Sequence, residues 1–279
     1  MNKEEAMKDY ERLADRMCSN NPSSQTGSSF VNYFTFSKRL ETQGNKGINF
    51  WELIRQKPEI EQKNYIINLL KYYKESGSKK NDSQLWFRIF QLYFGGGSIF
   101  KPVIAMEIYC RFKPQSVLDM TMGWGGRLVG ACALNIPNYI GIDLNTSLKK
   151  PYGEMVKVLN KVSTTNIKLL FKDALKVDYS KLDYDMVLTS PPYYNTEIYQ
   201  GSKKMEKEKW DRDFYTPLFQ KTFKGMKSKG HYCLNVPAEV YEDVAKKVLG
   251  KAKYFIPMPK AKRTEDEKYK EYIYVWVKS

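Results

Sequence analysis

The chain is poor in the residues that hold metals. It has one histidine, His231, and four cysteines, Cys18, Cys110, Cys132 and Cys233, which lie far apart and form no C-x-x-C pair. That shortage leaves no Cys/His cluster, and no metal is expected in the chemistry. The cysteines read as reduced thiols of an intracellular protein. His231 stands at the start of a strand-like run and reads as structural. No apolar stretch approaches the ~20 residues needed to cross a bilayer. The opening residues MNKEE contain no signal-peptide apolar region, so neither membrane insertion nor secretion is expected. There is no G-x-x-x-x-G-K-[ST], which argues against nucleoside triphosphate chemistry. Internal repeats and long low-complexity tracts are also missing.

Basic charge, by contrast, is in excess. Lys and Arg number 46 against 31 Asp and Glu, a net +15 with a pI near 9.4. A polyanion is the natural partner, through counterion release at phosphates. Lys203, Lys204, Lys207 and Lys209 follow one candidate motif directly, and Lys260, Lys262 and Arg263 stand in a late loop. The mixed run 263–270 reads as a solvated hairpin or loop.

Four apolar runs end in chemistry. The first, Ser116-Val117-Leu118, ends in Asp119 and is followed by Met120-Thr121-Met122-Gly123-Trp124-Gly125-Gly126-Arg127-Leu128. This reads as a buried strand, an acid at its carboxyl end and a glycine turn opening a helix, where backbone can approach a ligand closely. Leu128 stands where a dinucleotide fingerprint has its third glycine, which argues against a pyrophosphate. The second run ends in Asp143, 24 residues after Asp119, a spacing suited to a carboxylate on ribose hydroxyls. The third ends in Asp173-Ala174. The fourth, Met186-Val187-Leu188, runs into Thr189-Ser190-Pro191-Pro192-Tyr193-Tyr194. Each acid is also readable as a helix N-cap. The last motif is also readable as a rigid turn beside a buried tyrosine. Read together, the four strand ends supply acceptors, a stacking ring and a glycine cradle.

With these motifs, residues 99–279 resemble the S-adenosylmethionine-dependent amino methyltransferases of DNA, which modify adenine N6 or cytosine N4. The G-W-G-G-R-L stretch and Asn195-Thr196-Glu197-Ile198-Tyr199 are similar to a branch found in phages and large DNA viruses. The resemblance implies a Rossmann-like α/β fold with a seven-stranded, mostly parallel sheet and a C-terminal antiparallel hairpin. It implies cofactor contacts at Lys101, Asp119, Met120, Gly123, Gly125, Asp143, Asp173, Ala174 and Ser190, with Phe100-Lys101-Pro102 closing over the methionine end. It implies a catalytic set of Ser190, Pro191, Pro192 and Tyr193. Met120-Thr121 departs from the family's Pro-Phe at that place.

The chemistry follows from the residue types. An exocyclic amino nitrogen is a poor nucleophile, because its lone pair is delocalised into the ring. Acceptors on both of its N–H groups, Ser190 and the Pro191 carbonyl, make it pyramidal and aim the lone pair at a sulfonium methyl. Tyr193 stacks on the base, which must be flipped out of a duplex or single-stranded. Ser in the first motif position resembles the cytosine enzymes more often than the adenine ones. DNA is the leading substrate. RNA, a protein glutamine amide, or an inactive methyltransferase fold that only binds nucleic acid are the alternatives; Met120-Thr121 is the support for the last.

Residues 1–98 read as a separate, mainly helical segment that recognises nucleic acid or packs on the catalytic domain. Helices are predicted near 4–17 and 59–73, and from a cap at Asp82 to Tyr93. The aromatics of 30–36 and Phe50-Trp51 are expected mostly to pack, and Lys38, Arg39 and Lys46 to meet phosphates. Later helices are predicted over 210–227 and 239–249, and later strands at 231–236, 252–256 and 272–277.

Overall fold

The buried runs become one sheet. In the computed structural model, residues 2–18, 23–44, 46–77, 79–95, 97–194, 197–198, 205–258 and 271–279 are described. Seven strands form the sheet: β1 Ser116–Asp119, β2 Asn138–Asp143, β3 Asn166–Phe171, β4 Met186–Thr189, β5 His231–Val236, β6 Tyr254–Pro257 and β7 Tyr272–Val277. Their order is β3-β2-β1-β4-β5-β7-β6. The first five run parallel, and β7 is antiparallel to both β5 and β6. This is the Rossmann-like sheet with a terminal antiparallel hairpin that the sequence implies. Every residue of β1 and of β4 is buried, as expected for central parallel strands covered on both faces. The chain leaves β1 toward β2 on one side, and β4 leads to β5 on the other. A crevice therefore opens at the carboxyl ends of β1 and β4, the place where open α/β sheets bind ligands.

The chain forms two compact units. The first comprises Met1–Phe36, Ile99–Tyr194 and Met205–Ser279, and holds the sheet. The chain passes between the units at 36/37, 98/99, 194/195 and 204/205. Helix α1, Lys3–Asp15, buries Ala6, Asp9, Tyr10 and Leu13, one stripe at helical spacing. Asp9 accepts from the backbone N–H groups of Ser29 (2.9 Å) and Phe30 (3.3 Å), capping helix α2, Ser28–Glu41. Helix α3, Pro102–Phe112, starts with proline at its first position. It packs on α4, Gly126–Ala133, whose eight residues are all buried.

The expected set of four reduced thiols is corrected here. Cys18 and Cys110 form a disulfide, and Cys132 and Cys233 are free and buried. The half-cystines are 92 residues apart in sequence, a separation that gives no sign of contact. Folding lays the end of α1 beside α3.

The second unit comprises Ser37–Ser98 and Asn195–Lys204. Its described helices include Phe50–Arg55, Asn64–Glu75 and Asp82–Tyr93, the last capped by Asn81 rather than Asp82. Gln43–Gly44 pairs antiparallel with Glu197–Ile198. Phe50, Leu53, Trp86, Ile89 and Phe90 are buried, whereas Trp51 is half exposed. Arg39 is buried as well, and its Nε and Nη2 donate to the Gly97 carbonyl at 3.1 and 2.8 Å. That removes it from the expected phosphate contacts. Lys38 pairs with Glu41 at 2.7 Å. Lys203, Lys204, Lys260, Lys262, Arg263, the run 263–270, and Asn195, Thr196 and Tyr199 lie outside the described residues.

The disulfide makes a countable prediction. Alkylation of the denatured, non-reduced protein should label two cysteines, Cys132 and Cys233. Cys110→Ser should lower the stability to denaturant by about 2–4 kcal/mol, because the loop it releases is long.

Candidate active site

The two loops at the crevice share one hydrogen-bond network. Asp119 ends β1 with no exposure. Its Oδ2 accepts from Arg127 Nε and from the Tyr139 hydroxyl, both at 2.7 Å, and its Oδ1 accepts from Thr189 Oγ1 at 3.0 Å. Thr189 commits its proton there, so Thr121 Oγ1 is the donor in the 2.7 Å contact between the two threonines. Arg127 Nη2 donates to the Thr121 carbonyl at 2.5 Å, and the guanidinium lies over the Phe100 ring at 5.0 Å. The neighbouring carboxylate and phenol oxygens raise the Arg127 pKa against its burial. Thr121, the departure from the family pattern, is therefore the link between the glycine turn and the motif beginning at Thr189.

The glycine turn is open at Gly123 and packed at Gly125, where an added Cβ would lie 3.1 Å from Met155 Cε, and at Gly126, where it would strike the Phe100 carbonyl. Gly123 and Gly125 have φ of +55° and +98°, values that side-chain-bearing residues seldom adopt. A Cβ on Gly123 would meet only the Thr121 carbonyl oxygen, at 3.9 Å. Tyr152 holds the turn from behind, its hydroxyl donating to the Gly123 carbonyl at 3.0 Å. Asp143, at the end of β2, takes the Gly123 N–H on Oδ2 and the Asn145 N–H on Oδ1, each at 2.8 Å. Each oxygen keeps acceptor capacity for a further donor. Burial pushes the Asp143 pKa up to about 6, and the two N–H groups oppose that rise. A shallow cradle beside a two-oxygen acceptor fits the amino-acid and ribose ends of S-adenosylmethionine.

Other residues of the implied cofactor set occupy different places. Asp119 and Met120 are enclosed, the latter with Sδ 3.9 Å from the Tyr232 hydroxyl in the core. Neither side chain faces the crevice, because the central strand ends below its surface. Lys101 donates to the Ser23 carbonyl at 3.3 Å, and burial lowers its pKa. Asp173 is half-buried and caps a short 3-10 turn, accepting from the Leu175 N–H at 2.9 Å. Ala174 is buried, and its carbonyl accepts from the Tyr179 hydroxyl at 2.8 Å.

The catalytic motif is pinned from below. The Tyr215 hydroxyl donates to the Pro192 carbonyl and accepts from the Tyr194 N–H at 3.1 Å. Tyr194 has φ +50°, a turn conformation uncommon for a bulky residue. Tyr215 closes a π-helical turn, Asp211–Tyr215, between Lys207–Trp210 and helix α5, Thr216–Gly225. Among the described residues, no hydrogen bond engages the Pro191 carbonyl. Ser190 Oγ lies 3.0 Å from the Tyr193 hydroxyl and 3.2 Å from Asn235 Oδ1. The Tyr193 hydroxyl donates to Asn235 Oδ1 at 2.8 Å. Burial and the Glu271 carboxylate raise the Tyr193 pKa far above the ordinary phenol value, so it serves as a neutral ring. Lys207, expected at a phosphate track, instead pairs with Glu239 and Asp243.

Sequence reading missed Arg127, Tyr215, Asn235 and Glu271. Two of them carried a signal: Arg127 stands in an otherwise small and apolar helix, and Asn235 interrupts an apolar strand. A polar group in such a place requires a buried partner.

No protein-family model matches the chain, and no curated protein matches it. Among solved structures, TrmN from Thermus thermophilus is 17% identical with a TM-score of 0.47, covering 64% of this chain and 49% of that one. The T. thermophilus 16S rRNA N2 G1207 methyltransferase RsmC, solved with AdoMet and guanosine, is 13% identical with a TM-score of 0.44, covering 66% and 44%. TehB from Haemophilus influenzae is 12% identical with a TM-score of 0.43, covering 68% and 66%. The chain thus spans about half to two thirds of the length of these proteins.

The buried ion pair gives a direct test. Arg127→Met leaves Asp119 enclosed without its cation and should cost about 3–5 kcal/mol in chemical unfolding.

Proposed function

We propose that this protein transfers a methyl group from S-adenosylmethionine to the exocyclic amino nitrogen of a nucleobase, cytosine N4 or adenine N6, in DNA. The carrying observation is the Thr121–Thr189–Asp119 linkage, which ties the glycine turn to a pinned set of acceptors at one sheet crevice. S-adenosylmethionine held at the Gly123 turn and Asp143 would supply an electrophilic methyl carbon on a cationic sulfur, with the neutral thioether as leaving group. Asp143 takes the ribose hydroxyls. Ser190 and the Pro191 carbonyl each accept one N–H of the base, which localises the nitrogen lone pair. Tyr193, tethered at its hydroxyl, presents a fixed aromatic ring to the base. The nitrogen then releases one proton to solvent. Every group is held before the reaction, so positioning and fixed dipoles carry the acceleration. The +15 charge supports a nucleic-acid substrate.

The test is transfer of labelled methyl to separate pools of double-stranded DNA, single-stranded DNA and RNA, followed by nucleoside identification. N4-methylcytosine or N6-methyladenine from DNA is expected. Label in RNA alone would move the substrate, and cofactor binding with no label in any pool would overturn the reading. Ser190→Ala should lower turnover about tenfold, the loss of one such acceptor. Tyr193→Ala should lower it further, and Asp143→Ala should act mainly on cofactor affinity.

The Asp143 pKa sets a pH dependence. Since the folded value lies above 3.8, this group's contribution to stability is complete below about pH 4 and is lost as pH rises through about 6. Cofactor affinity runs the opposite way, because ribose hydroxyls prefer the carboxylate. Calorimetry should find binding about tenfold weaker at pH 5 than at pH 7. Asp143→Asn should flatten that slope.

A further inference from the structure

Asn235, the last residue but one of β5, is almost fully buried, beside the motif but outside it. Its Nδ2 lies 2.9 Å from Glu271 Oε1 and 3.3 Å from the Tyr272 carbonyl. Both neighbours are oxygen acceptors, so the side of the amide facing them is the NH2. The carbonyl end, Oδ1, is thereby turned toward Tyr193 (2.8 Å) and Ser190 (3.2 Å). An oxygen facing two hydroxyls makes donors of both. The Tyr193 proton has Asn235 Oδ1 at 2.8 Å, the Asn235 backbone carbonyl at 3.2 Å and Glu271 Oε1 at 3.3 Å as acceptors, all inside the protein. The single Ser190 proton goes either to Asn235 Oδ1 or to the Tyr193 oxygen 3.0 Å away. In both arrangements Ser190 spends its proton inside the protein and has only lone pairs left to offer.

We infer that Glu271 and Asn235 are positioning residues that fix the direction of the Ser190 proton, making that hydroxyl an obligatory acceptor for the amino group of the base. The inference rests on the proposed methyl transfer and deepens it. A serine free to rotate would point its proton at the substrate N–H in part of the population, and that geometry repels. The chain Glu271 carboxylate, Asn235 amide, Ser190 and Tyr193 hydroxyls removes the wrong orientation before the base arrives. It also lets a serine do the work of an acceptor-only side chain without placing a negative charge beside the base. The selectivity follows: a target presenting an N–H donor is welcomed, and one presenting an acceptor in that place meets lone pairs.

The experiment is a double-mutant cycle with the full chain, labelled S-adenosylmethionine and the nucleic-acid pool that accepts methyl. Thermal melting and cofactor calorimetry run alongside to confirm that each variant folds and binds. Asn235→Leu, which removes the oxygen facing Ser190, and Glu271→Ala should each lower kcat about tenfold or more. Cofactor affinity should stay within about twofold, since neither residue belongs to the cradle. In a Ser190→Ala background the same changes should cost less than about threefold, because the proton they orient is gone. Glu271→Gln, which keeps an oxygen acceptor for Asn235, should recover most of what Glu271→Ala loses. Equal cost in both backgrounds would make the residues merely structural and overturn the inference, as would wild-type turnover in the two single variants. If the wild-type protein methylates no pool, the proposed function falls first and this inference falls with it. That result is distinct from an active wild type with an additive cycle.

Discussion

A carboxylate and a guanidinium buried together lose their hydration, and they remain ionic at tolerable cost only when the protein returns a full set of hydrogen bonds. Asp119 and Arg127 meet that condition through Tyr139, Thr189 and the Thr121 carbonyl. The partners come from β1, β2, α4, the glycine turn and the end of β4. No two of these segments can shift apart without stranding a charge. The electrostatic demand of one enclosed pair thus becomes a geometric constraint on both loops of the crevice, which explains how short turns hold a definite shape.

Around that pair the site is built from neutral parts. Ser190, the Pro191 carbonyl and the Tyr193 ring carry no formal charge, and the burial that raises the phenol pKa keeps the ring neutral. Such a surface suits a flat, uncharged heterocycle better than a phosphate. The excess positive charge of the chain provides a long-range attraction for polyanions. Attraction and selection are therefore separate properties, carried by different residues.

Much of this was readable from the sequence, and the division is physical. The strands were legible because central parallel strands must be continuous apolar runs, and 272–277 emerged with its bounds unchanged. The ligand-facing ends were legible because glycines, prolines and acids cluster there for local backbone reasons. What stayed hidden depends on contacts distant in sequence. The hydrogen-bond set of Asp119 was among them, because Arg127, Tyr139 and Thr189 converge on it only after the sheet assembles. The Cys18–Cys110 bond, the enclosure of Arg39 and the Asn235–Glu271 pair were concealed for the same reason. Local pattern carries no information about which helix lies beside which.

The π turn ahead of Tyr215 has a consequence for how this chain tolerates change in length. A π turn is an α-helix with one residue too many, and here that surplus sets the azimuth at which the Tyr215 hydroxyl meets the Pro192 carbonyl and the Tyr194 amide. One further residue inserted between Asp211 and Tyr215 and taken up as regular helix would swing the ring by about 100°, away from the loop it pins, whereas removal of one would close the bulge and leave the flanking turns nearly in phase. Composition on the outer face of this helix is free to drift, while Tyr215 and the length added ahead of it are not.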